Sequence, residues 1–220
     1  MIKNIKPGIN SLFSTPVTVL DLPNDPAINE DVDRLMGQET MEVFGNKRES
    51  ANNNGKDNNV DNLLKYVVSS CERVIETIYK TDFDSAVKVF NKFKDKAYNQ
   101  SNKPIESKCR LKVNNYWVNH YSKGDHHVSH IHPNSIFSAV VFLKIPVDCT
   151  AQLVLVDPRG PVNYFSSDIS FSEDGVSYTV KAKESRMVIF PSWLSHYVSP
   201  ESSSGTRSTL SINIGTEVIA

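Results

Sequence analysis

Apolar positions at helical spacing mark the middle of the first half of the chain. From Val60 to Ile78 they recur at steps of three and four, which predicts an amphipathic helix that packs on a core and ends near Lys80. Thr81 and Asp84 resemble a capping pair, and the apolar stripe that follows predicts a second amphipathic helix. Both helices are interpreted as structural support.

Two other parts of this half have a different pattern. β-forming residues from Pro16 to Leu22 predict a short strand. The stretch from Arg48 to Asn62 is polar and rich in Asn, and its side chains have little to bury. Because Asn also tolerates turn conformations, this stretch is predicted to be a mobile surface loop.

After Pro104 the helical period disappears, and short β-rich segments alternate with turn signals such as DPRG and SEDG. The predicted strands are Arg110–Tyr121, Ile136–Ile145, Ala151–Val156, Val162–Phe165, Val176–Lys181, Arg186–Phe190 and Ser208–Ile214. Many short strands at regular spacing favour an antiparallel sandwich or barrel. We expect a single, mainly β domain, in which residues 1–105 supply a strand and helical support and residues 106–220 form the core.

Composition excludes several classes of protein. The chain has 220 residues and a formal net charge of -1, so its overall charge gives no reason to expect a nucleic acid or an anionic membrane as a partner. No apolar run approaches the roughly 20 residues of a membrane span. Three cysteines without a CxxC pair favour reduced thiols, and we expect a cytoplasmic protein.

Histidines carry the first sign of chemistry. Four of the six lie in the string HHVSHIH, which by itself is also compatible with a solvated loop. His130 and His132 are two apart, so at a strand end both side chains can point to one face. His196 follows a predicted buried strand and is a candidate third ligand. Imidazole suits Fe, Zn, Cu and Ni, and three facial ligands leave coordination positions open.

A candidate anion site follows the last of these histidines. Arg207 opens the final predicted strand, and a guanidinium can bind a carboxylate through two parallel hydrogen bonds. Thr209 lies two residues further, on the same strand face, and can add a hydroxyl donor.

These residues resemble the Fe(II)- and 2-oxoglutarate-dependent oxygenases. The pattern is most similar to a compact group found in marine bacteria and their phages. The matching strings are WVN at Trp117, GD at Gly124, HIHPNS from His130, DPR at Asp157, FPSWLSH from Phe190, and Arg207. The resemblance covers a little under half of the chain.

The resemblance implies a double-stranded β-helix, or jelly roll, whose mouth binds Fe(II) through His130, His132 and His196. The co-substrate 2-oxoglutarate would chelate the iron and pair with Arg207, helped by Thr209, Tyr116 or Asn119. The implied activity is hydroxylation of an unidentified substrate, with release of succinate and CO2. Analogy with the family favours a protein side chain as the substrate. A phage-encoded enzyme would act in the host cytoplasm.

Two departures from the family pattern keep alternatives open. His132 stands where most members have Asp or Glu, so it is either a third imidazole ligand or a neighbour of a bound water. Val141 and Phe142 replace tyrosines that often contact the co-substrate, which leaves more of its binding to Arg207.

Trp193 and Phe190 are expected in the core rather than at a substrate surface. The other hypotheses are a three-histidine cupin-type dioxygenase that needs no 2-oxoglutarate and a non-catalytic jelly-roll or virion-associated binding module.

Overall fold

The computed structural model of the chain describes residues 14–42, 47–53, 60–88, 108–159 and 177–219. Two complete helices and eleven strands lie within them, and residues 83–88 are also helical. In chain order they are β1 (Thr18–Asp21), α1 (Pro26–Met36), β2 (Thr40–Glu42), β3 (Arg48–Ser50), α2 (Asp61–Tyr79), β4 (Lys108–Tyr121), β5 (His127–His130), β6 (Phe137–Lys144), β7 (Leu153–Val156), β8 (Ser177–Val180), β9 (Arg186–Pro191), β10 (His196–Val198) and β11 (Arg207–Ile219).

The strands form two antiparallel sheets. The larger sheet has seven strands in the order β1-β9-β6-β11-β4-β3-β2, and the smaller has four in the order β5-β10-β7-β8. A core that includes Phe142, Leu153, Val188 and Phe190 packs between them. The mainly β prediction is confirmed, and the two sheets form the jelly roll that the family resemblance implied.

The helices cover the outer face of the larger sheet. Leu35 of α1 and Leu63 and Val67 of α2 pack with sheet residues such as Leu210 and Ile212 in one apolar cluster. The helices are joined to each other by a buried Asp31 of α1, whose carboxylate accepts a hydrogen bond of 2.8 Å from the Leu63 N–H group of α2. Neither described helix meets the length and hydropathy of a candidate membrane span.

The long strand β11 has two distinct faces, because alternate side chains of a strand point to opposite sides. Leu210, Ile212 and Ile214 face the helices. The other face carries the buried residues Arg207, Thr209 and Asn213 and the partly exposed Ser211. β11 pairs with β4 on one side and β6 on the other, so this polar face runs through the middle of the larger sheet.

Most predicted elements are found with shifted ends. The expected strand at Pro16–Leu22 is β1, and the first expected helix is α2, with Lys80 as its C-terminal cap. Residues 83–88 begin the second expected helix, whose later part lies outside the described residues. The predicted strand Val162–Phe165 also lies outside them.

One prediction about the first half was wrong in part, and some elements were missed. Arg48–Ser50, assigned to a surface loop, is strand β3, which pairs with β4. Its sequence has no apolar alternation, and its position is fixed by pairing and by Ser50, whose hydroxyl accepts a hydrogen bond from the Val118 N–H group. α1, β2, β5 and β10 were also not predicted.

Candidate active site

Three histidines converge at one end of the smaller sheet. His130 ends β5, His196 begins β10, and the two residues are direct partners across this antiparallel pair. His132 lies just beyond β5, where its backbone N–H group donates a 2.9 Å hydrogen bond to the Ser192 carbonyl oxygen. The potential ligand atoms of the three side chains all lie within 4.8 Å of one another.

Backbone carbonyl groups orient two of these imidazoles. His130 Nδ1 lies 2.8 Å from the Val128 carbonyl oxygen, and His196 Nδ1 lies 2.9 Å from that of Leu194. A carbonyl oxygen only accepts hydrogen bonds, so each Nδ1 carries the proton. Each Nε2 is then left with the lone pair that a metal ion needs.

His132 is held differently. Its Nε2 lies 3.2 Å from His196 Nε2, and its Nδ1 lies 3.4 Å from Asn213 Nδ2. An amide NH₂ group donates, so this orientation of Asn213 makes Nδ1 the acceptor and places the proton of His132 on Nε2. Metal binding through Nε2 requires the opposite tautomer, which Asn213 would favour after an amide rotation that presents its oxygen. The ligand role of His132 therefore depends on Asn213.

The environment keeps the three imidazoles neutral. Burial lowers the pKa of His196 to about 3, and burial and the neighbouring His130 lower the pKa of His132 to about 4. Burial also lowers the pKa of His130. Because a metal ion binds the neutral form of imidazole, these shifts favour metal binding at neutral pH.

Arg207 lies in the same pocket as the three histidines and is 1% exposed. The faces of Tyr121 and Phe142 lie 4.9 and 5.3 Å from its guanidinium carbon. Among the described residues, its Nε and Nη1 have no hydrogen-bond partner, and no carboxylate lines the pocket. Glu201, which does not line the pocket, interacts electrostatically with Arg207, but no carboxylate in the pocket meets its free N–H groups, so this site is suited to an anionic ligand.

The other predicted co-substrate residues lie in different places. Thr209 is buried and lines the pocket beside Arg207. Asn119 is on the same face of the sheet, but its side chain accepts hydrogen bonds from Trp117 Nε1 and Lys47 Nζ and donates one to Ser211. Tyr116 lies on the opposite face, in the cluster that the helices cover. The geometry therefore does not bring Tyr116 to the pocket.

Two aromatic residues predicted to be in the core also differ. Phe190 is fully buried and its ring packs edge-on to His196, with ring centroids 4.7 Å apart. Trp193 is 54% exposed, so its assignment to the core was wrong. The strand β9 ends at Pro191, and the turn that follows brings the Trp193 side chain to the surface.

Sequence reasoning missed Lys47 and left His127 undecided. Lys47 is a buried lysine from the segment before β3, and its Nζ lies 2.8 Å from His127 Nδ1. His127 lines the pocket and stacks on His130, with ring centroids 4.1 Å apart. Nothing in the polar sequence around Lys47 indicates burial. The polar alternation RSTLSIN from Arg207 to Asn213 was the available signal for the role of Asn213.

Comparisons with known proteins fit this geometry. A family model described as "Putative 2OG-Fe(II) oxygenase" matches residues 115–213, which contain the three histidines and Arg207. A search of curated protein sequences gave no match.

Solved structures share the fold at low sequence identity. An oxidoreductase of the 2OG-Fe(II) oxygenase family from Burkholderia pseudomallei is 12% identical, with a TM-score of 0.53 over 90% of this chain and 84% of that chain. A Pseudomonas putida prolyl-4-hydroxylase is 14% identical, with a TM-score of 0.54 over 92% and 93%. HygX from Streptomyces hygroscopicus, solved with nickel, 2-oxoglutarate and hygromycin B, is 12% identical, with a TM-score of 0.51 over 91% and 83%.

The structural similarities show the double-stranded β-helix. The family match indicates which ligands, iron and 2-oxoglutarate, should be compared with the residues of the pocket. A cluster of three neutral imidazoles fits iron, and the buried guanidinium beside it, whose Nε and Nη1 have no partner among the described residues, fits a dicarboxylate. Residues 115–213, a little under half of the chain, thus resemble the 2OG-Fe(II) oxygenases in sequence and contain both the histidine cluster and Arg207.

Proposed function

We propose that this protein is an Fe(II)- and 2-oxoglutarate-dependent dioxygenase, which hydroxylates a C–H bond of a protein side chain and releases succinate and CO2. His130, His132 and His196 would bind Fe(II), and Arg207 with Thr209 would bind the distal carboxylate of 2-oxoglutarate. Residues 106–220 would carry the chemistry, with residues 1–105 as support. The observation that carries the proposal is the buried guanidinium of Arg207, which has unmet donors in the pocket that holds the histidine cluster.

When bound, iron and 2-oxoglutarate together would supply the oxidising chemistry. The residues of the chain would hold these two groups in position. Carbonyl oxygens of Val128 and Leu194 orient two imidazoles toward a common centre. Tyr121 and Phe142 hold the Arg207 guanidinium between their faces. Their rings also exclude water from this cation, which strengthens its attraction to a carboxylate.

An exposed apolar patch beside the histidines supports a polypeptide substrate. Ile131, Ile136 and Trp193 are 48%, 40% and 54% exposed. Their backbones are close together, because the Ser192 N–H group donates to the Ile136 carbonyl oxygen and the Ser192 carbonyl oxygen accepts from His132, which follows Ile131. Apolar patches on a surface often mark binding sites for other proteins. The structural similarity to a prolyl-4-hydroxylase is consistent with such a substrate.

The test of the reaction is spectroscopic and chemical. Anaerobic Fe(II) with 2-oxoglutarate should give a metal-to-ligand absorbance band, and oxygen should then produce succinate. His196→Ala and Arg207→Ala should abolish both signals. His126→Ala and Arg186→Ala are matched controls, since His126 is exposed and Arg186 pairs with Asp21 outside the pocket. Full succinate production by His196→Ala or Arg207→Ala would contradict the proposed site.

The test of the substrate class is separate. A pool of synthetic peptides incubated with enzyme, Fe(II), 2-oxoglutarate and ¹⁸O₂ should yield peptides that have gained one labelled oxygen atom. Trp193→Ser should reduce this labelling while leaving the absorbance band of the Fe(II) complex intact. Succinate formation with labelling of an aminoglycoside but of no peptide would contradict the polypeptide substrate and leave the oxygenase reaction standing.

A further inference from the structure

A buried lysine contacts the pocket residue His127 and forms an ion pair with a partly buried carboxylate. Lys47 is 2% exposed, and its Nζ lies 2.5 Å from the carboxylate of Glu49. The same ammonium lies 3.3 Å from Asn119 Oδ1 and 2.8 Å from His127 Nδ1. Burial lowers the pKa of Lys47, and the adjacent carboxylate of Glu49 opposes this shift. With that carboxylate 2.5 Å away, we take Lys47 as the ammonium form, which donates hydrogen bonds to all three neighbours.

This contact determines the tautomer of His127. An ammonium group has three donors and no acceptor, so His127 Nδ1 must accept the hydrogen bond. The proton of the neutral imidazole is then on Nε2. Sequence alone does not reveal this, because Lys47 and His127 are 80 residues apart.

The ring of His127 is also fixed in orientation. It stacks on His130 at an interplanar angle of 18°, with ring centroids 4.1 Å apart. His127 lines the pocket whereas Lys47 does not, so the ring edge that carries Nε2 is the edge available to the pocket. An N–H donor is thus held at a fixed position beside a candidate iron ligand.

The charge balance indicates which group this donor fits. Glu49 neutralises Lys47, and His127 itself is uncharged, so the assembly presents a donor without net charge. Such a donor is well matched to an uncharged acceptor, for example the carbonyl oxygen of an amide. A carboxylate in the same pocket is better served by the guanidinium of Arg207.

We propose that His127 is a specificity-determining residue whose Nε2–H group, held in place by Lys47, donates a hydrogen bond to a carbonyl oxygen of the substrate. The inference rests on the proposed function, since it places an amide-bearing substrate next to the iron site. It assigns Lys47 as a positioning residue that acts through His127.

The experiment reads the imidazole nitrogens directly. Full-length protein with ¹⁵N-labelled histidine is loaded with Zn(II) and N-oxalylglycine, and long-range ¹H–¹⁵N spectra give the tautomer of each ring. N-methylacetamide is then titrated as the amide probe, with acetate as the charged comparison. We expect His127 to be protonated on Nε2, and its Nε2 resonance to shift saturably with N-methylacetamide.

Two variants separate positioning from simple structural support. Lys47→Met should place a proton on Nδ1 in part of the molecules and lose the response to N-methylacetamide. Lys47→Arg also offers only donors and should retain both wild-type signals. The exposed His126 is the internal control, and its resonances should be the same in all three proteins.

Three results would overturn the inference. These are a wild-type His127 protonated on Nδ1, no response of His127 to N-methylacetamide, or an equal response to acetate. Failure of Zn(II) to shift His130, His132 and His196 would instead overturn the proposed metal site. The His127 tautomer is read in the same spectrum, so the two failures are distinguishable.

Discussion

The buried guanidinium of Arg207 has N–H groups on Nε and Nη1 that have no hydrogen-bond partner among the described residues. We expect Arg207 to contribute more to the affinity for 2-oxoglutarate than any other residue. Arg207→Met leaves the carboxylate of 2-oxoglutarate without its partner, and losing one member of a buried charge pair costs at least about 2 kcal/mol. The Kd for 2-oxoglutarate should therefore rise by roughly 30-fold or more, measured by calorimetry with Mn(II) present.

Arg207→Lys is the matched control, because it keeps the charge but not the planar fork. Its affinity should lie between those of the wild type and Arg207→Met. Equal affinity in wild type and Arg207→Met would show that the co-substrate carboxylate binds elsewhere.

Asn213 decides whether His132 can bind metal through Nε2. Asn213→Asp replaces a donor near His132 Nδ1 with a group that only accepts, which favours the tautomer with a free Nε2 lone pair. We expect Zn(II) affinity to increase by about tenfold, the lower end of the effect of such neighbours. Ser211→Asp on the same strand face is the control. An unchanged Zn(II) affinity in Asn213→Asp would indicate that His132 is not a ligand.

At the scale of elements, one carboxylate joins the two helices. The N-terminal cap residue of α2, Val60, makes no side-chain capping bond, and Asp31 of α1 supplies the acceptor instead. Asp31→Ala should lower the free energy of unfolding by about 1–2 kcal/mol, the usual cost of losing a helix cap. Asp33→Ala, exposed on the same helix, is the control and should have a much smaller effect in urea unfolding.

A second carboxylate holds together the loops that precede β7 and β11. Glu201 is buried and accepts hydrogen bonds from the backbone N–H groups of Thr150 and Ser203 and from the Cys149 thiol. Burial raises the pKa of Glu201, but these hydrogen bonds outweigh it and bring the pKa to about 2. The charged form is therefore stabilised in the folded protein.

Glu201→Gln should lower the free energy of unfolding by about 2 kcal/mol at pH 7. The folded pKa lies below the unfolded value, so the contribution of Glu201 is present above about pH 4.5 and is lost as pH falls toward 2. The difference between wild type and variant should shrink over that range in thermal unfolding. The exposed Glu184 provides the control variant Glu184→Gln, and a pH-independent difference for Glu201→Gln would contradict this explanation.

Elements with their own periodic pattern were predictable, and elements fixed by pairing were not. α2 has an apolar stripe at helical spacing and was found to within two residues. β3 reads RES and exists because β4 pairs with it, which no local pattern reveals. α1 did carry a signal, since Asp25 caps it and Pro26 starts it, but this signal was overlooked.

At the scale of the whole molecule, ligand binding should raise stability. A ligand that binds only the folded chain adds about 2.7 kcal/mol when present at 100 times its Kd, and the proposed site predicts this for Mn(II) and for 2-oxoglutarate. We expect the Tm to rise with Mn(II) and to rise further when 2-oxoglutarate is added, as measured by scanning fluorimetry. Arg207→Met should keep the first increase and lose the second. Loss of the first increase in this variant would indicate that Arg207 supports the fold rather than the co-substrate.

The sequence identified the candidate metal ligands and the candidate carboxylate-binding arginine better than the other residues that line the pocket. His130, His132 and His196 could be selected because the chain has only six histidines and because the first two are at a spacing that places both on one strand face. Arg207 could be selected because it opens the strand that follows them. Tyr116 and Asn119 were predicted as possible helpers of Arg207. Tyr116 lies on the sheet face that the helices cover, and the register of β4 rather than its residue type determines this. Lys47 comes into contact with His127 only through the tertiary fold.

Polar and apolar residues alternate along β11, so that one face of the strand lines the pocket and the other packs against the helices. Odd-numbered residues from Arg207 to Asn213 face the pocket, and the even-numbered Leu210 and Ile212 face the helices. An engineer could therefore redesign ligand preference by randomising Thr209 and Ser211 while leaving the scaffold positions unchanged. A library restricted to the odd positions should contain far more folded members than one of equal size at the even positions.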